Sequence, residues 1–153
     1  MSGDLRERFS QRMTRLRGNL DGIAAVFAST PDRAKPGPSA LPAFAWLLEA
    51  SYSDIEEVFK SLVRSCGDEV PNSLNWHRDL LDAVSQPTAK RAAAVTTGLK
   101  VELEDYLQFR HFARYSTFLV LDWAQMKPLV DGLPRVVERF RVEMEQFLAA
   151  HLP

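Results

Sequence analysis

Apolar residues recur every three or four positions along most of the chain, and this spacing predicts amphipathic helices rather than strands. The first predicted helix runs from about Asp4 to Phe27, and the second runs from about Pro42 to Ser65. Asn75 is a good N-cap residue, so a short third helix is expected to begin after it. A fourth helix is expected from about Ala89 to Ser116. Since no strand pattern stands out, the sequence indicates an all-α fold.

The C-terminal part of the chain predicts a fifth helical segment that prolines interrupt. Asp122 is expected to cap its start, and Asp131 offers a second cap. Pro128 and Pro134 lack the backbone N–H, so they are expected to kink or break the helix between them. Five helical segments with mostly short connections are typical of an antiparallel helical bundle. The apolar face of the last segment consists of Leu133, Val137, Phe140, Met144 and Phe147.

Length and composition indicate one ordinary globular domain over residues 1–153. The formal net charge is −1, so any anion-binding surface has to be local. Cys66 is the single cysteine, and the three histidines form no HExxH pattern, so neither a metal nor a cofactor is expected. The N-terminus lacks an apolar signal segment, and no apolar run reaches the ~18 residues of a membrane span. We therefore expect a cytoplasmic protein that does not enter a membrane.

Arg110 is the most unusual residue of the sequence because it interrupts the apolar stripe of the fourth predicted helix. Burying an unpaired charge is very costly, so its guanidinium must find an anion or a carboxylate. A carboxylate could come from Glu102, Glu104, Asp105 or an acidic residue of another helix. The anion could instead be a phosphate, with Arg114 one helical turn away as a second contact. The stripe that Arg110 interrupts consists of Leu99, Leu103, Tyr106, Leu107 and Ala113.

Other polar and aromatic residues are weaker candidates for a functional site. His111 and Tyr115 are four residues apart and can share a helix face. The default interpretation is that His111 is a surface imidazole and Tyr115 an interface or core-rim aromatic with a hydrogen-bonded hydroxyl. Trp76 is expected to plug the core at the start of the third helix, and His77 to hydrogen-bond a helix end. The arginines of the first helix lie mostly off its apolar stripe and indicate a solvated face.

Three segments carry a pattern that other proteins share. They are LNWHRDLLDAV, in which Trp76 and His77 open the short helix, LEDYLQFRHFARYSTFLVLDWAQMKPLV, and LPRVVERFRVEMEQFL. With these segments and this order of helices, the chain resembles the HEPN superfamily, and within it the HepT-like toxins and HepT-like ribonuclease domain proteins. The resemblance covers nearly the whole chain and is clearest over residues 52–150. The second segment is the most specific of the three.

This resemblance implies an activity, a partner and an oligomeric state. Proteins of this kind are small helical homodimers encoded beside a small nucleotidyltransferase, which serves as the antitoxin. The HEPN protein is an endoribonuclease toxin that needs no metal, and the paired motifs of its two protomers line one cleft for RNA. In some of these systems the nucleotidyltransferase neutralises the toxin by adding AMP to a tyrosine.

The active motif of the family is an arginine, four to six further residues, a histidine, and a tyrosine two residues beyond. By the resemblance, Arg110 takes the arginine position, Tyr115 the histidine position and Thr117 the tyrosine position. Histidine, with a pKa of about 6.5, passes protons at neutral pH, whereas tyrosine, with a pKa of about 10, is a poor base there. His111 is one residue that could act as the proton carrier instead.

Three functional hypotheses follow from the sequence. The first is a ribonuclease in which Arg110, His111 and Tyr115 are catalytic and Arg110 and Arg114 bind RNA phosphate. The second is a HepT-like scaffold that binds the nucleotidyltransferase or RNA without cleaving it. In both, Thr117 and Tyr115 are the candidate modification sites. The third is a structural helical dimer subunit, in which Arg110 is salt-bridged within its own chain and away from any cleft.

Overall fold

The described part of the chain contains five helices. The computed structural model describes residues 2–115 and 120–151, and no strand occurs within those two ranges. The all-α prediction and the expected number of helices are therefore confirmed. The helices are α1 (Ser2–Ala28), α2 (Ala40–Ser65), α3 (Trp76–Val84), α4 (Thr97–Tyr115) and α5 (Trp123–His151). Within the described ranges, no helix is long and apolar enough to cross a membrane.

The central helix of the bundle is α2, which contacts each of the other four helices. The predicted apolar face of α2 is buried and consists of Phe44, Leu48, Ile55, Phe59 and Leu62, and further apolar residues beside it, such as Leu47, Val58 and Val63, are buried as well. Because α2 is packed on several sides, polar residues on it are buried against its neighbours as well. This position makes α2 the source of the carboxylates that pair with arginines of α1 and α4.

The arginines of α1 are only partly a solvated face, because two of them bind a buried carboxylate of α2. Arg12 Nη1 and Arg15 Nε each donate to Asp54 Oδ1 at 2.9 Å. Asn19 Nδ2 donates to the other oxygen of Asp54 at 3.3 Å. Since the Asp54 side chain is 3% exposed, these donors replace the water that burial removes from it. The cluster ties α1 to α2 in the half of α2 that also faces α4.

The start of α4 was predicted wrongly, since the helix begins at Thr97 rather than near Ala89. The segment before Thr97 is irregular, because its polar side chains bind groups of other helices instead of continuing α4. Arg91 is buried, and its Nη2 donates to the carbonyl oxygen of Ala83 near the end of α3 at 2.9 Å. Thr96 then provides a side-chain cap, its Oγ1 accepting a backbone N–H three residues further on at 3.2 Å. These two contacts fix where the helix starts.

A kink or a break was expected at the prolines, and the break is wrong, because α5 continues through Pro128 and Pro134. Each proline removes a helical hydrogen bond, at a cost of roughly 3 kcal/mol in a helix interior. The hydroxyl of Tyr106 on α4 donates to the carbonyl oxygen of Leu129 at 2.7 Å. The next carbonyl along α5 is the one that has no helical donor, because Pro134 lacks a backbone N–H. Burial of the apolar face offsets the remaining cost, through Met126, Val130, Leu133, Val137 and Phe140.

The two predicted caps of this segment had different outcomes. Asp122 is confirmed as the cap of α5, since its Oδ1 accepts the N–H of Ala124 and its carbonyl oxygen accepts that of Met126, both at 3.0 Å. Asp131 lies inside the continuous helix and does not cap a second one. Its carboxylate instead accepts a hydrogen bond from Lys127 Nζ at 2.7 Å, one turn earlier.

Gly67 and Gly18 should respond in opposite directions to replacement by alanine. Gly67 follows α2 with φ 81°, and its N–H and that of Asp68 bind carbonyls of the last turn at 3.0 Å. A side chain strains this conformation, so Gly67→Ala should lower the free energy of unfolding by about 1 kcal/mol. Gly18 lies in the exposed middle of α1 with open space around it, so Gly18→Ala should raise stability by up to about 1 kcal/mol. Urea denaturation of both variants measures this, and a gain of stability in Gly67→Ala would contradict the assignment.

Candidate functional site

Arg110 is buried in a salt bridge to the central helix. Its side chain is 3% exposed, and Nη2 donates to Glu56 Oε2 at 2.9 Å. Nη1 donates to Ser53 Oγ at 3.1 Å. The partner is thus an acidic residue of another helix, which was one of the alternatives that the sequence left open. None of the acidic residues on the helix of Arg110 is its partner. Glu102, for example, pairs with Arg135 of α5.

His77 completes a three-membered cluster with this salt bridge. Its Nδ1 lies 2.8 Å from Glu56 Oε2 and 2.7 Å from Arg110 Nη2. The expectation that His77 hydrogen-bonds a helix end is therefore wrong, because a buried carboxylate on α2 holds the ring instead. Trp76 is half-buried at the edge of the core, and its ring stacks on that of His77 with centroids 3.6 Å apart. Lys60 covers the Trp76 ring at 4.7 Å.

The two short contacts of His77 Nδ1 are compatible with only one hydrogen bond at that atom. A protonated Nδ1 donates to Glu56 and merely approaches Arg110, which is also a donor. An unprotonated Nδ1 accepts from Arg110 and merely approaches Glu56. In either case Nδ1 makes the hydrogen bond to the cluster, and Nε2 lies on the far side of the ring.

A pocket of about 240 Å³ opens beside this cluster, between α3 and α4. It brings together Arg110, Arg114, His111 and Tyr115, the four predicted site residues that the structure describes. Thr117, the other predicted residue, lies outside the described residues. The pocket adds two charged or titratable residues of α3, and its full lining is Leu74, Asn75, His77, Arg78, Leu107, Gln108, Arg110, His111, Arg114 and Tyr115. Within residues 2–115 and 120–151, no group of His, Cys, Asp and Glu side chains is placed to hold a metal ion.

Arg114 is the exposed counterpart of Arg110. Its side chain is 45% exposed, with Nε 3.4 Å from Glu49 Oε1 and Nη2 donating to Ser53 Oγ at 3.2 Å. Ser53 therefore bridges the two arginines. With the exposed Arg78 of α3, three guanidinium groups face two carboxylates around the pocket, which leaves a local positive charge on a chain of net charge −1.

His111 and Tyr115 lie on the solvent side of the same pocket. Both are exposed, Tyr115 to 69%, and their ring centroids are 4.8 Å apart. The expected sharing of one helix face is confirmed. His111 is the surface imidazole that was the default interpretation, although it borders a pocket. Tyr115 lies at the rim of the pocket rather than in the core.

The residues of α2 that lie behind Arg110 were not predicted from the sequence. Tyr52 is 1% exposed and lies under Arg110, whose Cζ is 4.8 Å from the ring centroid. Within the described residues its buried hydroxyl has no hydrogen-bond partner. Burial, and then the charge of Glu56, raise the pKa of Tyr52 well above its usual range. Glu56 could not be recognised in the same way as Arg110, because one residue after Ile55 it lies about 100° further around the helix, away from the apolar stripe that contains Ile55.

A comparison with known protein families identifies the family of this chain. The family model described as HepT-like protein matches residues 43–151, which is well over half of the chain and includes all the residues that line the pocket. The chain belongs to the HepT-like protein family. This membership is consistent with a HEPN-type protein, which the sequence motifs also indicated. Searches among curated proteins and among solved structures gave no match.

Proposed function

We propose that this HepT-like protein is the toxin of a toxin–antitoxin system and cleaves RNA, without a metal, in the pocket around Arg110. The observation that carries the proposal is the pocket itself. It gathers three arginines and two imidazoles in a protein that is otherwise close to neutral. Such a concentration of phosphate-binding and proton-carrying groups is what metal-independent RNA cleavage requires. The family and its HEPN-type relationship support the same activity.

RNA cleavage of this kind makes three demands on the pocket. The 2′-hydroxyl must lose its proton, the charge that develops on the phosphorane oxygens must be stabilised, and the leaving 5′-oxygen must gain a proton. Guanidinium groups meet the second demand because they stay charged and their planar N–H groups match phosphate oxygens. We assign this task to Arg110 and Arg114, with Tyr115 and His111 at the rim, where RNA enters.

The two arginines contribute differently because their burial differs. The exposed pair of Arg114 with Glu49 is worth about 0–1 kcal/mol, so an incoming phosphate can displace the carboxylate. Arg110 keeps its buried pairing with Glu56 and offers its remaining N–H groups to the phosphate. In this arrangement Arg110 is a fixed part of the binding surface, and Arg114 closes on the substrate.

We further propose that the protein acts as a homodimer with a small nucleotidyltransferase as antitoxin. Large apolar side chains are exposed along and just after the C-terminal part of α4, where Phe112 is 42% exposed, Tyr115 69% and Val120 75%. A second copy on this side would cover them and place two sets of arginines next to each other. AMP addition by the partner at Tyr115 would put a bulky anion at the pocket rim.

A second candidate function is a HepT-like scaffold that binds RNA or the nucleotidyltransferase without cleaving. The observation that favours it is the combination of a tyrosine at the motif histidine position with an Arg110 whose charge Glu56 already neutralises. This hypothesis expects the wild-type protein to leave RNA intact. It also expects Tyr115→His to create nuclease activity.

Cleavage of labelled transfer RNA and messenger RNA in EDTA tests the proposal, with Arg114→Gln beside the wild type. We expect the wild type to cleave, and Arg114→Gln to be slower by roughly 10- to 100-fold, since a hydrogen bond to a charged group is lost. Because Arg114 is exposed, this variant should fold normally. Arg64→Gln is the matched control, since Arg64 is an exposed arginine near the end of α2 and outside the pocket.

Two outcomes would contradict the proposed activity. One is wild-type protein that leaves both RNAs intact in EDTA, and if Tyr115→His then cleaves, the scaffold hypothesis takes its place. The other is equal rates for the wild type, Arg114→Gln and Arg64→Gln, which would show that the cleavage takes place away from this pocket.

A further inference from the structure

We infer that His77, oriented by Glu56, is the proton carrier of the pocket and replaces the histidine that the chain lacks at position 115. The inference rests on the proposed ribonuclease function and assigns a catalytic residue to it. His77 comes from α3, whereas the motif arginine and the motif histidine position both lie on α4. The order of residues along one helix therefore could not reveal it.

The contact between His77 and Glu56 has the geometry of a carboxylate–imidazole pair. Nδ1 lies 2.8 Å from Oε2 of a carboxylate whose side chain is 5% exposed, whereas the imidazole itself is 29% exposed. With the proton on Nδ1, the ring donates to Glu56 and presents an unprotonated Nε2 on its opposite side. A buried carboxylate in this position selects the tautomer and stabilises the positive charge that the ring acquires when Nε2 accepts a proton.

The His77 ring is also held in place from the side. The neighbouring indole of Trp76 stacks on it at 3.6 Å, with 29° between the two planes. Lys60 of α2 lies over the Trp76 ring at 4.7 Å. A general base has to be within hydrogen-bond reach of the proton that it takes, so a ring fixed by stacking and by Glu56 is prepared for that task.

Charged groups of both signs, from three helices, surround His77. From α2, Glu56 favours the protonated ring, whereas Lys60 lies beyond Trp76. From α4, Arg110 lies 2.7 Å from Nδ1 and disfavours protonation. The remaining pocket residues that carry or can acquire positive charge are Arg114 and His111 on α4 and Arg78 on α3.

In the reaction that we assign to His77, the 2′-oxygen of the RNA forms a bond to phosphorus, and the bond between phosphorus and the 5′-oxygen breaks. The proton of the 2′-hydroxyl passes to Nε2 of His77 and from there to the departing 5′-oxygen. The products are a 2′,3′-cyclic phosphate and a free 5′-hydroxyl. His77 returns to its starting state, so no other reactant is consumed.

His111 is the competing candidate on the same pocket. It is exposed, and its ring leans on the exposed Tyr115 with centroids 4.8 Å apart. The structure gives the carboxylate contact to His77 instead, together with the contact to Arg110. A buried carboxylate, a stacked ring and direct contact with the motif arginine together favour His77 over His111.

The pH dependence of RNA cleavage by His77→Gln, Glu56→Gln and the wild type tests the inference, with His151→Gln as control. His151 stacks on Phe147 at the end of α5 and does not line the pocket. We expect His77→Gln to be slower by roughly 10²- to 10⁴-fold, as for loss of a general base or acid. Glu56→Gln should move the acidic limb of the profile to lower pH, because a neutral amide no longer stabilises the imidazolium. His151→Gln should match the wild type.

A second measurement, on the wild type alone, avoids any effect of substitution on folding. Nitrogen-15 NMR of the imidazoles should show neutral His77 with its proton on Nδ1. A neutral ring protonated on Nε2 would overturn the inference, because Arg110 rather than Glu56 would then fix the tautomer. If the wild type cleaves RNA and His77→Gln keeps both its rate and its pH profile, the inference fails while the proposed function stands. Wild-type protein that leaves RNA intact overturns both.

Discussion

Replacing Arg110 by alanine is expected to lower the free energy of unfolding by about 3–5 kcal/mol, because it leaves a buried charge without its partner. Glu56 is 5% exposed and would face only His77 once the guanidinium is gone. The same substitution removes a donor to Ser53 and the cation over the ring of Tyr52. RNA cleavage, the proposed activity, should be lost as well, since we assign the phosphate contact to Arg110.

Urea denaturation followed by circular dichroism measures the loss of stability, and Arg135→Ala is the matched control. Arg135 also pairs with a glutamate on a neighbouring helix, but its side chain is 67% exposed. Exposed ion pairs contribute about 0–1 kcal/mol, so this control should lose little stability. If both variants lost the same amount, Arg110 would not be in the buried salt bridge on which the site is built.

The second large effect is expected at the centre of the core, where Phe140→Ala should lower the free energy of unfolding by about 3–5 kcal/mol. Phe140 is fully buried on α5. Its ring meets Phe9 of α1 with centroids 6.0 Å apart and Phe59 of α2 at 5.7 Å, edge to face in both pairs. Truncation therefore opens a cavity where three helices meet and removes both aromatic contacts.

Thermal unfolding measures this second effect, with a fall in Tm of roughly 10 °C expected for a chain of this length. Val142→Ala on the same helix is the control, because Val142 is 37% exposed and should change stability by less than about 0.5 kcal/mol. A Phe140→Ala protein as stable as this control would contradict the packing of α5 between α1 and α2.

Helix positions could be predicted well from the sequence wherever local spacing and capping agree. Asp122 caps α5, and Gly67 ends α2 in the conformation that favours glycine. The third helix starts after Asn75 as expected, although the Asn75 side chain makes no capping hydrogen bond. The start of α4 could not be read in the same way, because Arg91 is held by carbonyls of α3 that only the folded chain brings near. Local propensity is overruled there by tertiary contacts.

Prolines show a similar limit of sequence-based prediction. Pro128 and Pro134 were expected to kink or break the last helix, yet the helix continues through both, and its apolar face is buried along its length. The hydroxyl of Tyr106 reaches this segment from another helix. A sequence gives the local cost of a proline but not the burial that offsets it.

The candidate site could be located from one residue but not assembled from the sequence. Arg110 stood out because a charge in an apolar stripe needs a partner. Its partner Glu56 carried no such signal, because it lies off the predicted apolar stripe of α2, and pairing the two requires knowledge of how α2 packs on α4. His77 was expected to hydrogen-bond a helix end, since nothing in its local sequence indicates a carboxylate 21 positions earlier. Long-range contacts of this kind depend on the fold.

The proposed activity is cleavage of RNA, without a metal, in the pocket around Arg110. The decisive experiment incubates the wild-type HepT-like protein, purified without a partner, with end-labelled transfer RNA and messenger RNA in EDTA and then analyses the product ends. We expect fragments that end in a 2′,3′-cyclic phosphate and begin with a 5′-hydroxyl. If both RNAs stay intact, the pocket is not a ribonuclease site.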